Sequence, residues 1–386
     1  MTSQSDSQQP VTTANPLAIR FVFVDGLRGL AALSIVIFHI WWYEPAPYPA
    51  LDNAHWIYDA AFLRLRGGVQ TLLVISGFVI AYTLRNTWVD SIEVLRFVSR
   101  RFVRLVPAYW TAIAIALLVN IACSSILNLP SYLDNPVTSG QVLSHLVFLQ
   151  ELLGYEALSA GMWTVCIEVQ FYMFAVVAWG LAQRLFTGPE PNRPRPSAWG
   201  LISVFAPLAL ISLFIWRRQD ASDVWVAYFF WTFFLGMATW WALEQSIRPS
   251  IFWGVVCIAI VELIINREPA NAVALMTALL LLVAGQHERL GVWLNWGWLQ
   301  YLGRISYSLY LIHFPVCHLV TATGWKLYGE NSTSMQAVFI LFLALVASIP
   351  AAHLLYMFVE APSIRWTELM KRRSVAASTF TAEKRS

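Results

Sequence analysis

The chain has 386 residues, 58% of them hydrophobic and only 12% charged, with a mean hydropathy of +0.59. Soluble domains carry roughly 25% charged residues, so a soluble fold is excluded and a multi-span integral membrane protein is implied. A net charge of +3 gives no argument for a nucleic-acid partner.

Residues 1–19 are rich in Ser, Gln and Thr and lack a basic start followed by an apolar core, so they read as a disordered cytoplasmic tail. Apolar runs follow at 25–43, 67–85, 104–123, 162–183, 199–216, 224–243, 250–265, 271–286, 300–321 and 335–359. The fold class is therefore an all-α bundle of about ten transmembrane helices filling residues 20–365, with 366–386 as a basic tail. Alternating the spans from a cytoplasmic N-terminus puts most Lys and Arg inside, among them Arg85, Arg96, Arg100 and the Lys371–Arg373 cluster. This positive-inside pattern places both termini in the cytoplasm. Two outer loops, 44–66 and 124–161, are substantial, and the proline-rich inner loop 184–198 is a stiff connector. The 19 tryptophans suit the two bilayer–water interfaces. Cys123, Cys166, Cys257 and Cys317 have no metal-ligand spacing and read as small apolar residues. No metal site is expected.

Ionisable groups inside a span are costly, which makes each a candidate for function. The first helix carries Asp25, Arg28 and His39. Eleven residues bring Arg28 and His39 onto one face, and Asp25 stands three residues before Arg28, placed to pair with it. The fourth span carries Glu168 and Tyr172 at i,i+4, with Glu168 at a depth similar to His39, so a His39–Glu168 pair is expected. On the ninth span Ser306, Tyr310 and His313 form an inward polar stripe, after which Pro315 should break or bend the helix. Arg100, Arg101 and Arg104 should open the third helix, where the dipole favours anions and Arg101 and Arg104 can grip one polyanion together. Each group also has a structural reading. Arg28 could snorkel, His39 could pack, Glu168 could be neutral and hydrogen-bonded, and the arginines could be positive-inside anchors. On charges alone a secondary transporter is the alternative, although no internal repeat is visible.

Taken together these motifs resemble acyltransferase family 3, membrane O-acyltransferases. DGLRG at 25–29 with His39 is similar to the family's first-helix signature, and Arg101 and Arg104 to its Arg-x-x-Arg motif. GGVQTLLVISGFVIAY at 67–82 supplies Ser76, Gly77 and Phe78 in the family's order. MWTVCIEVQFYMF at 162–174, LGRISYSLYLIHFPV at 302–316, and the ending Tyr356, Glu360, Pro362 complete the series. Val74 and Cys166 depart from the common residues at their positions, and neither removes a presumed catalytic group. The chain is too short to add the extracytoplasmic hydrolase-like domain that some members carry.

The resemblance implies a bacterial inner-membrane enzyme with no permanently bound cofactor. It would move an acyl group, usually acetyl, from cytoplasmic acyl-coenzyme A to a hydroxyl. The acceptor would be a carbohydrate of a surface polysaccharide, lipopolysaccharide or glycolipid, or a macrolide-type small molecule. Arg101 and Arg104, with Arg28, would hold the donor's phosphates. His39 would act as general base with Glu168 orienting it, or would carry the acyl group itself. Asp25, Ser76, Tyr172, Ser306, Tyr310 and His313 would support the site. Trp41, Trp42, Tyr43, Trp56 and Tyr58 could stack on acceptor sugars, with Asp52 and Asp59 bonding hydroxyls; interfacial anchoring accounts for the same aromatics.

Overall fold

The structure, a computed structural model, describes residues 21–42, 65–129, 131–133, 135–186, 195–218, 223–329 and 332–371. Among these residues the regular structure is helical throughout. The helices are α1 (Val22–Trp42), α2 (Gly68–Leu84), α3 (Ser91–Ile121), α4 (Ser139–Leu146), α5 (Met162–Phe186), α6 (Ala198–Phe214), α7 (Val226–Leu243), α8 (Pro249–Asn266), α9 (Pro269–Gln286), α10 (Gly297–Tyr328) and α11 (Ser334–Leu355). A π-helical turn, Ala122–Ile126, extends α3, and a second, Tyr356–Glu360, carries α11 on toward Lys371. Among the described residues eight helices are long and apolar enough to cross a membrane, and α2 and α6 are shorter apolar helices. All ten fall on the expected runs, so the chain is a multi-pass membrane protein.

Local chemistry sets the helix ends. Asp90 caps α3 by accepting the Glu93 N–H at 2.7 Å, and Thr333 and Gln336 form a capping box at the start of α11. Arg267, at φ 52°, closes α8, and Pro269 opens α9 immediately afterwards.

Two backbone crossings hold the bundle. A Cβ at Gly77 would overlap the Phe233 carbonyl, and one at Gly236 the Val74 carbonyl, so α2 and α7 meet backbone to backbone. Gly303 lies against the Asp25 carbonyl, and Gly29 against Gly303 and Leu299, which makes the same kind of contact between α1 and α10. Membrane helices associate through such small-residue contacts because lipid supplies no hydrophobic drive between them. The glycines of DGLRG and LGRISYS therefore set helix spacing. Helix α10 is flanked by α1 and α11.

Three expectations need correction. Helix α3 begins at Ser91, so Arg101 lies eleven residues past the Asp90 cap, roughly 16 Å along the axis. The dipole is felt within the first turn and does not explain an anion site there. The early start follows from the Asp90 cap and from Glu93, which pairs with Arg100 at 2.5 Å and Arg96 at 3.7 Å. Pro315 neither ends nor interrupts α10, which runs on to Tyr328; a membrane helix wedged between neighbours tolerates an interior proline. The tryptophans are not all interfacial, because Trp179, Trp231 and Trp241 are fully buried in the core. Cys123, Cys166 and Cys317 are buried as expected, whereas Cys257 is exposed.

Candidate active site

Helices α1, α2, α5 and α10 line one cavity. Arg28, Ser76, Glu168, Ser306 and Tyr310 line it, five residues singled out from the sequence and drawn from four separate helices. Thr164 and Tyr307 add two further hydroxyls, and Val69, Leu72, Leu73 and Val165 form the apolar wall.

One carboxylate oxygen organises the centre of this wall. Glu168 Oε1 accepts from Ser76 Oγ at 2.9 Å and from the Tyr172 hydroxyl. The Arg101 guanidinium stands 4.6 Å from the centre of the Tyr172 ring, in cation–π range. Arg104, Glu168 and Arg28 all lie within electrostatic reach of Arg101. Arg101 and Tyr172 also border a narrower apolar crevice between α3 and α5.

A second carboxylate faces the arginines from α11. Glu360, 3% exposed, accepts from the Ser308 hydroxyl at 2.5 Å and from the Ser308 N–H at 3.2 Å. Arg104 and Arg28 both act on it electrostatically. Its position on a π-helical turn matches the frequent use of such turns at functional sites.

Further along α10 the polar stripe continues. Thr164 donates to the Gly161 carbonyl at 3.1 Å, and its Oγ1 lies 2.5 Å from the Tyr310 hydroxyl. The rings of Tyr310 and His313 are 6.1 Å apart. His313 Nε2 lies 2.7 Å from His39 Nδ1, with the two imidazoles nearly parallel. Both histidines are buried.

This geometry corrects the expected His39–Glu168 pair. His39 is paired with His313, and Glu168 with Ser76 and Tyr172. The two reach different neighbours because α10 projects the His313 ring against His39, while α2 brings Ser76 to Glu168. Asp25 and Arg104 stand outside the cavity wall, Asp25 at the α1–α10 crossing and Arg104 beside Glu360. Tyr43, Asp52, Trp56, Tyr58, Asp59 and the side chain of Trp42 lie outside the described residues, whereas Trp41 packs with Ala337 and Ile340.

Sequence reasoning missed Thr164, Tyr307 and the use made of Glu360. Thr164 was legible as the first member of an i, i+4, i+8 stripe with Glu168 and Tyr172. Glu360 was legible as an acid ending a long apolar run. Tyr307, whose hydroxyl donates to the Leu105 carbonyl at 3.1 Å, gave no signal apart from its neighbours.

A membrane helix bundle with partly buried arginines, two carboxylates and a cavity between four helices, and with a buried histidine pair outside the cavity's lining, defines an intramembrane polar site. The chain matches the family described as "Acyltransferase domain" over residues 21–353 and belongs to it. It is 26% identical to the O-acetyltransferase OatA of Staphylococcus aureus strain MRSA252, over 94% of this chain and 59% of that protein. It is 25% identical to BcsY of Komagataeibacter xylinus, named as a candidate membrane-bound transacylase, over 87% of this chain and 81% of that protein. The chain thus spans little more than half the length of the OatA relative. No solved structure matches it.

Proposed function

We propose that the protein is a membrane O-acetyltransferase that takes an acetyl group from acetyl-coenzyme A and delivers it to a carbohydrate hydroxyl. The observation that carries this reading is a succession of polar groups through the bundle, bonded in short groups that meet at or beside one cavity. It runs from Arg101 over Tyr172 to Glu168 and Ser76, then through Thr164 and Tyr310 to His313 and His39. A coenzyme A thioester needs cations at one end for its phosphates and a base at the other for chemistry, and this line supplies both. The O-acetyltransferase name of the OatA relative supports the acetyl group.

The donor enters from the cytoplasm at the arginine end. Lys371, at the end of the α11 extension, lies within electrostatic reach of Arg100, Arg101 and Arg104. The end of the α11 extension and the arginine turn of α3 are thus close together, and the basic character of both supports a cytoplasmic location. Arg101 and Arg104 grip the phosphates, with Arg28 beneath them and Glu168 and Glu360 limiting the local excess of positive charge. The pantetheine arm lies in the cavity along Ser306 and Tyr310.

At the thioester, His39 takes the proton of the acceptor hydroxyl as its oxygen attacks the carbonyl carbon. The tetrahedral centre collapses, the carbon–sulfur bond breaks, and the coenzyme A thiolate recovers that proton from the imidazolium. Acetyl ester and free thiol are the products, with no net change at His39.

The test compares base-labile acetyl groups on the surface glycans of producing cells with the wild-type gene, a deletion and His39→Ala. Acetyl ester that disappears in the deletion and in His39→Ala is the expected result. His39→Ala retaining more than about 5% of transfer, well above what loss of a general base worth 10²–10⁴-fold allows, would refute the assignment of the base.

A further inference from the structure

His313 is the ninth-span histidine whose role the sequence left open. Its ring is completely buried and touches two named groups in addition to Tyr310. Nδ1 lies 3.1 Å from the Leu309 carbonyl, one turn back on α10. Nε2 lies 2.7 Å from His39 Nδ1, with the two rings 5° from parallel and their centroids 5.0 Å apart.

A carbonyl oxygen can only accept, so His313 Nδ1 must carry a proton. In a neutral imidazole the other nitrogen is then a bare acceptor. A hydrogen bond of 2.7 Å between two ring nitrogens needs one proton, and His39 Nδ1 must supply it. Protons are assigned here by the hydrogen-bond pattern, and that pattern leaves one arrangement for two neutral rings.

We infer that His313 is a positioning residue that fixes His39 as its Nδ1–H tautomer and so makes Nε2 the basic nitrogen of His39. The inference rests on the proposed general-base role of His39 and extends it by naming the atom that takes the proton. When His39 Nε2 accepts the hydroxyl proton, Nδ1–H still points at the His313 lone pair. The His313 lone pair thus stabilises the imidazolium, the part the sequence had assigned to Glu168. Leu309 holds His313, His313 holds His39, and the order of the chain cannot reverse while that carbonyl is the terminal acceptor. The second-nitrogen partner of a working histidine commonly sets its tautomer in this way.

Two substitutions and one spectrum test it, all on full-length protein in lipid nanodiscs. His313→Gln keeps a side-chain acceptor for His39 Nδ1–H, whereas His313→Phe keeps a ring and loses the acceptor. His313→Phe should lower kcat for acetyl transfer by about 100-fold or more with KM for acetyl-coenzyme A unchanged, and His313→Gln should stay within about tenfold of wild type. In ¹⁵N-histidine-labelled wild type, His39 should show a protonated Nδ1 and an unprotonated Nε2. Three results would overturn the inference: His313→Phe within about threefold of wild type, His313→Gln falling as far as His313→Phe while both still bind acetyl-coenzyme A, or His39 protonated at Nε2. A wild type with the stated tautomer that transfers no acetyl group would instead refute the function from which the inference starts.

Discussion

Ser76 donates to Glu168 Oε1 across 2.9 Å, and the same oxygen accepts from Tyr172. The carboxylate thus ties α2 to α5 and, through the Tyr172 ring, reaches Arg101 on α3. Ser76→Ala removes one of two bonds to a single atom and should slow acetyl transfer by about fivefold, the worth of one ordinary hydrogen bond. Glu168→Gln turns a two-site acceptor into a group that also donates, against two donors, and should cost much more. Steady-state kinetics on the two variants separates these effects, and equal losses would contradict the stated geometry.

The glycine crossings predict stability effects away from the chemistry. Gly236→Val and Gly77→Val each force side-chain carbon into a neighbouring carbonyl, so α2 and α7 must separate. Each should destabilise the protein by about 1–3 kcal/mol or more, as overpacking does. Gly254, around which an added Cβ meets nothing within 4 Å, is the control, and Gly254→Ala should leave the unfolding temperature nearly unchanged.

Glu360 predicts a dependence on its partner. Glu360→Ala removes the acceptor of the Ser308 hydroxyl and the carboxylate facing Arg104 and Arg28. Breaking a buried charge arrangement by removing one partner costs about 3–5 kcal/mol, whereas Ser308→Ala removes a single hydroxyl bond. Thermal unfolding should therefore fall further for Glu360→Ala than for Ser308→Ala, and the reverse order would assign Glu360 a passive place.

The segment between α4 and α5 carries a pH-dependent group. Burial pushes the Glu151 carboxyl up to about 7, with Asp223 adding to the effect. Its folded value lies above the unfolded one, so its contribution to local stability is complete below about pH 4.5. That contribution is lost as pH rises through 7. Amide exchange in residues 147–161 should accelerate between pH 5 and 8 in wild type, and Glu151→Gln should flatten the profile. A Glu151→Gln profile as steep as that of wild type would move the titrating group elsewhere.

Hydropathy alone located the ten apolar helices among the described residues, because a helix in lipid must satisfy its own backbone and so needs a long apolar run. The cost of polar groups in that setting also marked Arg28, Glu168, Ser306 and Tyr310, and the family resemblance marked Ser76; the fold gathers all five at one cavity. What the sequence hid were pairings across helices. The choice between His313 and Glu168 as the partner of His39 depends on how the helices are rotated about their axes, which the sequence does not fix. The start of α3 was hidden for a different reason, since its first turns are amphipathic and charged, invisible to a search for apolar runs. Pro315 misled because a rule drawn from helices in water was applied to one held between two neighbours.

The most direct test is acetyl-coenzyme A binding to purified protein, followed by thermal shift, for wild type, His39→Ala and the Arg101→Ala/Arg104→Ala double variant. Ligand at 100 times its Kd should stabilise a binding-competent protein by about 2.7 kcal/mol. Wild type and His39→Ala should both show that shift, and the double arginine variant should lose it. A well-folded wild type that no acyl-coenzyme A stabilises would contradict the account and turn attention to a transported solute in the same cavity.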